Sequence, residues 1–460
     1  MRIGRPTPTL RPPRRRVDAA AAHEDDARAT GAERRAAPRG RRLAPVWRYL
    51  AIVGPGIIVA NAGNDAGGVF TYSNLGAKYG VRLLWAMLPI TLALIVTQEM
   101  VARLGAVTGK GLMDLIRERF GVRWTVFASV VVIVANGGTT LAEFAGVAGA
   151  LGLLGVPRWI AVIAAATMIG VLVLRANRRV VERIFLALGL VFFAYIVTAF
   201  MVPTDWREVG TSLVHPGFSH PGVDSGAFIA DLIALVGTSI TPYMQLFLQS
   251  SIVDKGTSEK ELRFVRADVI SGSIFAVMVA AFIIITTAFT LNLHGFAGHG
   301  LSSANGAQDA ASALRPLAGA HAEQLFAIGL LGASLLAAAV LPLSTAFVVC
   351  EAFGAERSVQ AGFDEAPLFF TLFIGLLAVG AGIMLIPGVP IAGVAIGTQV
   401  LDGILLPVLL TFIIILANDR RLLGRRRNGP VNNAVAVLLA GVLSVLTLFL
   451  VVTAFLPTSS

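Results

Sequence analysis

Residues 60–71 read ANAGNDAGGVFT and sit inside an otherwise apolar run that begins near Ile52. One carboxylate, Asp65, stands there among Gly63, Gly67 and Gly68, just after Asn61 and Asn64. An ionised carboxylate is among the costliest groups to place at bilayer depth. Glycine costs about 1 kcal/mol per position relative to alanine in a helix. A membrane-type segment that collects both reads as a broken helix, and non-helical backbone at that depth survives only where it is buried in protein or lines a water-filled cavity.

The rest of the chain supports the membrane reading. AVILMFWYC residues make up 56% of it and charged residues only 14%. Runs such as VFASVVVIVANGG, IFAVMVAAFIIITTAF and AVAVLLAGVLSVLTLFLVVTAFL recur along it. A spanning helix needs roughly 20 mostly apolar residues, and a soluble core does not account for a succession of such runs. Cys350 is the one cysteine, which excludes a disulfide framework or a thiolate cluster. Residues 1–45 differ: they are rich in Arg, Pro and Ala and nearly free of large apolar side chains. They read as a disordered basic cytoplasmic tail without the apolar core of a secretory signal, and a nucleic-acid role is not expected of it.

Hydropathy predicts an all-α integral membrane protein with about eleven spans, near 48–75, 83–103, 124–151, 157–175, 181–203, 227–252, 268–292, 321–350, 367–388, 391–417 and 431–456. One set of connections is rich in Arg and Lys (RLGAVTGKGLMDLIRERFGVR, RANRRVVER, DKGTSEKELRFVR, NDRRLLGRRRN), and the other set carries scattered positives. That asymmetry puts the N-terminus and the basic loops in the cytoplasm of a plasma-membrane protein, and an odd span count puts the C-terminus outside. The sixth span, DLIALVGTSITPYMQLFLQSS, carries Pro242 near its middle. Interrupted segments at corresponding places in two halves point to a transporter's midplane site. The first and sixth spans open two five-span sets of opposite topology, 46–203 and 227–417, with 431–456 as an added helix. The transmembrane domain is thus 46–460, an inverted 5+5 repeat of LeuT-like type with broken helices 1 and 6.

Unwound carbonyls of NAGND, Ala62 among them, and of TSIT would face the cavity with Asp65 as anchor. Carbonyl, carboxylate and amide oxygens suit hard divalent cations. Asn61 and Asn64 flank that anchor on the ion path. Glu143 lies in the third span, either as an acid on the ion path or as a helix-to-helix hydrogen-bonding group. Asp231 reads either as a vestibule acid that attracts cations or as a helix N-terminal acid favoured by the dipole. Gln399 and Asp402 lie in the tenth span, and Gln399 offers a neutral carbonyl oxygen. Glu99 is expected to pair with Arg103, at i+4. No HExxH-like cluster or nucleophile–base spacing stands out, which points away from an enzyme.

These residues resemble a known family. GPGIIVANAGNDAGGVFTYSNLGAKYGVRLLW followed by ARLGAVTGKGL is similar to the first two spans of the NRAMP divalent-metal transporters, which carry a DPGN motif and then an ARLG-xVTG segment. TLAEFAG resembles the family's DLAE segment, GTSITPYMQLFLQSS its sixth span and GTQVLDGILLP its tenth. The resemblance keeps Asp65 and Glu143 but places Gly68 where the family has Asn, Thr140 where it has Asp, and Thr241 where it has the metal-binding Met. Tyr243 or Met244 stands where it has His. This pattern resembles the NRAMP-related magnesium transporter branch. It implies a metal site of Asp65, Gly68, Ala62, Thr241 and Gln399, with Tyr243 and Gln245 contacting water and Met244 nearby as a sulfur. It also implies Mg²⁺ and Mn²⁺ imported as substrates, partly hydrated and without proton coupling, with no resident cofactor. The alternatives are a proton-coupled Mn²⁺/Fe²⁺ importer of ordinary type, an amino-acid transporter of the same architecture, and a membrane metal sensor without turnover.

Overall fold

In hydrocarbon every backbone polar group must be satisfied within its own segment, so each apolar run closes on itself as a helix. The computed structural model describes residues 64–175, 191, 193–217, 223–302, 305–355 and 363–455, and among them there is no strand. In chain order the longer helices are α1 (Ala66–Tyr79), α2 (Met87–Thr108), α3 (Leu112–Phe120), α4 (Val122–Leu153), α5 (Arg158–Arg175), α6 (Phe193–Met201) and α7 (Trp206–Val214). There follow α8 (Ser225–Ser239), α9 (Pro242–Asp254), α10 (Leu262–Thr290), α11 (Ala322–Phe353), α12 (Pro367–Leu385), α13 (Ile391–Asn418) and α14 (Pro430–Phe455). Eight helical stretches among the described residues are long and apolar enough to cross a bilayer, with α8 and α9 together making one of them. The expected spans 48–75 and 181–203 are described only in their C-terminal parts, as α1 and α6. The tail at 1–45 lies outside the described residues, as do Asn61 and Ala62.

The sixth span is broken, but more narrowly than its sequence suggests. TSIT was expected to be unwound throughout, yet α8 remains helical to Ser239, so only Ile240 and Thr241 leave the helix. Thr241 is extended, and Pro242 opens α9 as its first residue. Proline is favoured there because its fixed φ suits the first turn and its missing N–H would have had no intrahelical partner. Pro242 therefore restarts a helix rather than kinking one.

The long α4 is the centre of the bundle, packed against α11, α12 and α13. Helix α13 also lies on α8 and α1, α10 on α1 and α2, and α9 on α2. Lipid tails give no hydrophobic reason for helices to associate, so close packing of small residues must do so. Gly237 on α8 and Gly403 on α13 let two backbones touch. A β-carbon on Gly237 would lie 2.2 Å from the Gln399 carbonyl oxygen and 2.5 Å from the Gly403 amide nitrogen. One on Gly403 would lie 2.4 Å from the Ile233 carbonyl oxygen. The outer face of α14, by contrast, is apolar and open, as lipid contact requires: Leu438 is 68% exposed and Val445 67%.

Gly237→Ala should therefore cost about 1–3 kcal/mol through overpacking against α13. It should lower the thermal midpoint of the detergent-purified protein by several degrees. Gly441→Ala, where nothing lies within 4 Å, should leave the midpoint unchanged. Equal midpoints for Gly237→Ala and wild type would contradict this packing.

Candidate metal centre

Helix α1 begins at Ala66 because Asp65 caps it. Asp65 has extended backbone angles, and its Oδ1 accepts the Gly68 amide hydrogen at 2.7 Å. An unpaired amide at a helix start is satisfied by such a cap. The next amide, Ala66 N–H, donates across the bundle to Glu143 Oε2 on α4 at 3.3 Å. Two carboxylates thus meet at one helix N-terminus, whose dipole favours negative charge. Each spends one oxygen on the backbone. The second oxygens, Asp65 Oδ2 and Glu143 Oε1, are buried and receive no hydrogen bond from a donor, and the two carboxyls lie within hydrogen-bonding reach of each other.

Two more elements close on this point. On α13, Gln399 packs against the first turn of α1, where a β-carbon at Gly67 would lie 1.9 Å from its Nε2. That amide reaches Thr398 Oγ1 at 3.4 Å while its Oε1 has no partner. One turn on, Asp402 Oδ2 accepts from Thr139 Oγ1 of α4 at 2.8 Å, and Oδ1 is unpartnered. Tyr243, in the first turn of α9, lies within electrostatic reach of Asp65, Glu143 and Asp402 together. The end of α8 is tied to α1 by Tyr72 OH and Ser239 Oγ, 3.1 Å apart.

The sequence-predicted residues divide accordingly. Asp65 and Glu143 come together at the start of α1, Gln399 packs on the first turn of that helix, and Tyr243 lies within electrostatic reach. Gly68 contributes its amide to the Asp65 cap. Asn64, Thr241 and Gln245 are buried, and their side-chain oxygens lack partners. Met244 is buried in the first turn of α9. Thr140 bonds back to the Asn136 carbonyl of its own helix at 2.6 Å. It is its neighbour Thr139 that reaches across to Asp402. Asp231 does not join the cluster and is not an open vestibule acid. Its Oδ2 takes the Lys78 ammonium at 2.8 Å and the Tyr79 hydroxyl at 2.7 Å, pinning the end of α1 to α8. The Asp402–Thr139 pair is what sequence reasoning missed, although a lone carboxylate in an apolar span was the available signal.

Asp65, Glu143 and Asp402 make no ion pair among the described residues. Nor do three His, Cys, Asp or Glu side chains there form a closed ligand cluster. The arrangement is therefore a buried surplus of hydrogen-bond acceptors. An ionised carboxylate taken out of water needs a compensating charge. Carboxylate, amide and hydroxyl oxygens suit a hard cation.

A divalent metal cation transporter, MntH, of Ralstonia nicotianae is 30% identical to this chain over 427 residues, covering 88% of this chain and 91% of that protein. The divalent metal cation transporter MntH 1 of Pseudomonas aeruginosa is 30% identical over 428 residues, covering 88% and 92%. The solved structure of the Eremococcus coleocola manganese transporter, in complex with an aromatic bis-isothiourea substituted compound, is alike in fold, with a TM-score of 0.71 at 21% identity over 92% of this chain and 91% of that one. MhsT in complex with L-phenylalanine is a more distant fold neighbour, with a TM-score of 0.53 at 15% identity over 87% and 98%. The all-helical, LeuT-like architecture expected from the two broken spans is the one found. Residues 56–453 match the profile of the natural resistance-associated macrophage protein-like (Nramp) family, and the chain belongs to that family.

Proposed function

We propose that this protein imports divalent metal cations, Mg²⁺ and Mn²⁺ foremost, as partly hydrated ions and without proton coupling. The observation that carries the reading is the surplus of buried, unpartnered oxygens around Asp65. Transport of a divalent cation is consistent with the relatives in Ralstonia nicotianae and Pseudomonas aeruginosa, which are divalent metal cation transporters. The preference for hard ions rests on the donors. Asp65, Gln399 and Thr241 offer oxygen, and Gly68 offers no side chain at all. Mg²⁺ gives up its waters reluctantly and is held by few protein ligands. A site with Asp65 as anchor, Glu143 beside it and neutral oxygens of Gln399 and Thr241 suits an ion that keeps part of its shell. The basic connections orient the N-terminus to the cytoplasm and the C-terminus outside, across the plasma membrane.

A second reading is favoured by one feature. Asp65 and Glu143 meet at one helix end, each with a bare oxygen able to take a proton. That pair would serve a proton-coupled Mn²⁺/Fe²⁺ importer.

Flux in proteoliposomes separates the two. With Mg²⁺, Mn²⁺ and Ca²⁺ outside and a pH dye in the lumen, Mn²⁺ should enter, Mg²⁺ should suppress that entry, and the lumen should not acidify. Metal-dependent acidification would replace the first reading by the second. Asp65→Ala should reduce Mn²⁺ entry to the protein-free background while eluting from a sizing column as wild type does. Undiminished flux in that variant would remove Asp65 from the site. Thr241→Met should raise Cd²⁺ affinity relative to Mn²⁺ roughly tenfold, about 1.4 kcal/mol of differential binding. An unchanged ratio would show that Thr241 does not contact the ion.

A further inference from the structure

The ends of α2, α10 and α14 border an open cleft of about 350 Å³. Its walls include Arg103, Arg266, Arg425, Arg426, Arg427 and Asn432. Concave sites of ~300–1,000 Å³ are the usual size for a small ligand. Two carboxylates offset part of this charge. Glu99 holds Arg103 at 3.2 Å and Arg266 at 2.8 Å, and Glu259 holds Arg426 at 2.8 Å. Arg425 and Arg427 are exposed and make no ion pair among the described residues.

The floor of the cavity is built rather than incidental. Arg103 is 3% exposed, an unusual burial for a guanidinium. Glu99 and Asn428 hold its Nη2 in place, while its Nε–H is buried without an acceptor. Asn432 completes the frame by donating to Glu99 Oε2 at 3.4 Å. The cavity also opens at the start of α14, and a helix N-terminus is a ready anion site. A buried guanidinium in the wall, two exposed arginines without ion pairs and a helix start together favour a phosphate group.

The surroundings select the source of that phosphate. An adjoining cavity of about 480 Å³ shares Arg425 and Arg426, and its other walls include Val107, Leu422 and Leu423. Beyond the rim, α14 runs on as an exposed apolar helix with Val431 69% and Val437 56% exposed. Charge for a headgroup and apolar surface for acyl chains thus lie side by side. Basic pockets between spanning helices on the cytoplasmic side are a recognised way to hold anionic headgroups. We propose that this pocket binds the phosphodiester headgroup of an anionic phospholipid, independently of which ion the transporter carries.

Native mass spectrometry of the full-length protein, released from an equimolar mixture of phosphatidylglycerol and phosphatidylcholine, tests the proposal. Wild type should retain phosphatidylglycerol in preference to phosphatidylcholine. The double variant Arg425→Gln/Arg427→Gln alters only exposed, unpaired side chains and should retain roughly tenfold less. Arg420→Gln/Arg421→Gln removes the same charge from outside the pocket and should behave as wild type. Equal retention by the first double variant and wild type would overturn the proposal. So would an equal loss in the second double variant, since the effect would then be general surface charge. Displacement of the lipid by sn-glycerol-3-phosphate at equal concentration would overturn it too, by assigning the pocket to soluble phosphates.

Discussion

The hydrogen bond from the Gly68 amide to Asp65 Oδ1 is the contact on which the centre of the molecule depends. It starts α1 at bilayer depth by satisfying an amide that lipid cannot satisfy. It also fixes the carboxylate so that its other oxygen is left bare. Glu143 does the same for the Ala66 amide from the opposite helix. The backbone takes what the helix end needs, and what remains is an excess of buried acceptors. Such an excess is costly alone, and a cation is what would offset it under the proposed function.

Precision at this point comes from the small residues around it. Gly67 makes room for Gln399 against the first turn of α1, and Gly237 with Gly403 brings the backbones of α8 and α13 into contact. Those contacts set α13 so that Asp402 meets Thr139 and Gln399 meets α1. The break in the sixth span then needs only Ile240 and Thr241, because Pro242 starts the next helix at once.

Much of this was legible in the chain, for physical reasons that differ by residue. Asp65 among glycines announces a broken helix, because each residue is unfavourable there for a separate reason. Glu99 with Arg103 follows from helical spacing and is found as an ion pair. Four features were not legible. The extent of the sixth-span break depends on how neighbouring helices hold Thr238 and Ser239, which no local propensity reveals. Asp231 looks from sequence like a free acid, because its partners Lys78 and Tyr79 lie about 150 residues earlier, at the far end of another span. Thr139 and Thr140 are adjacent and chemically identical, and only the rotation of α4 about its axis decides which one reaches Asp402. The arginine pocket shares that limit: Arg103 and Arg425 are distant in sequence, and only helix packing makes them neighbours.

The central claim is that the ion is held by protein oxygens around Asp65 while it keeps part of its hydration shell. Pulsed electron–nuclear double resonance on Mn²⁺ bound to the purified protein, exchanged between H₂O and D₂O, measures this directly. The account predicts exchangeable proton couplings from more than one coordinated water, and loss of the bound Mn²⁺ signal in Asp65→Ala. A bound Mn²⁺ without exchangeable water couplings, or one that persists unchanged in that variant, would contradict it.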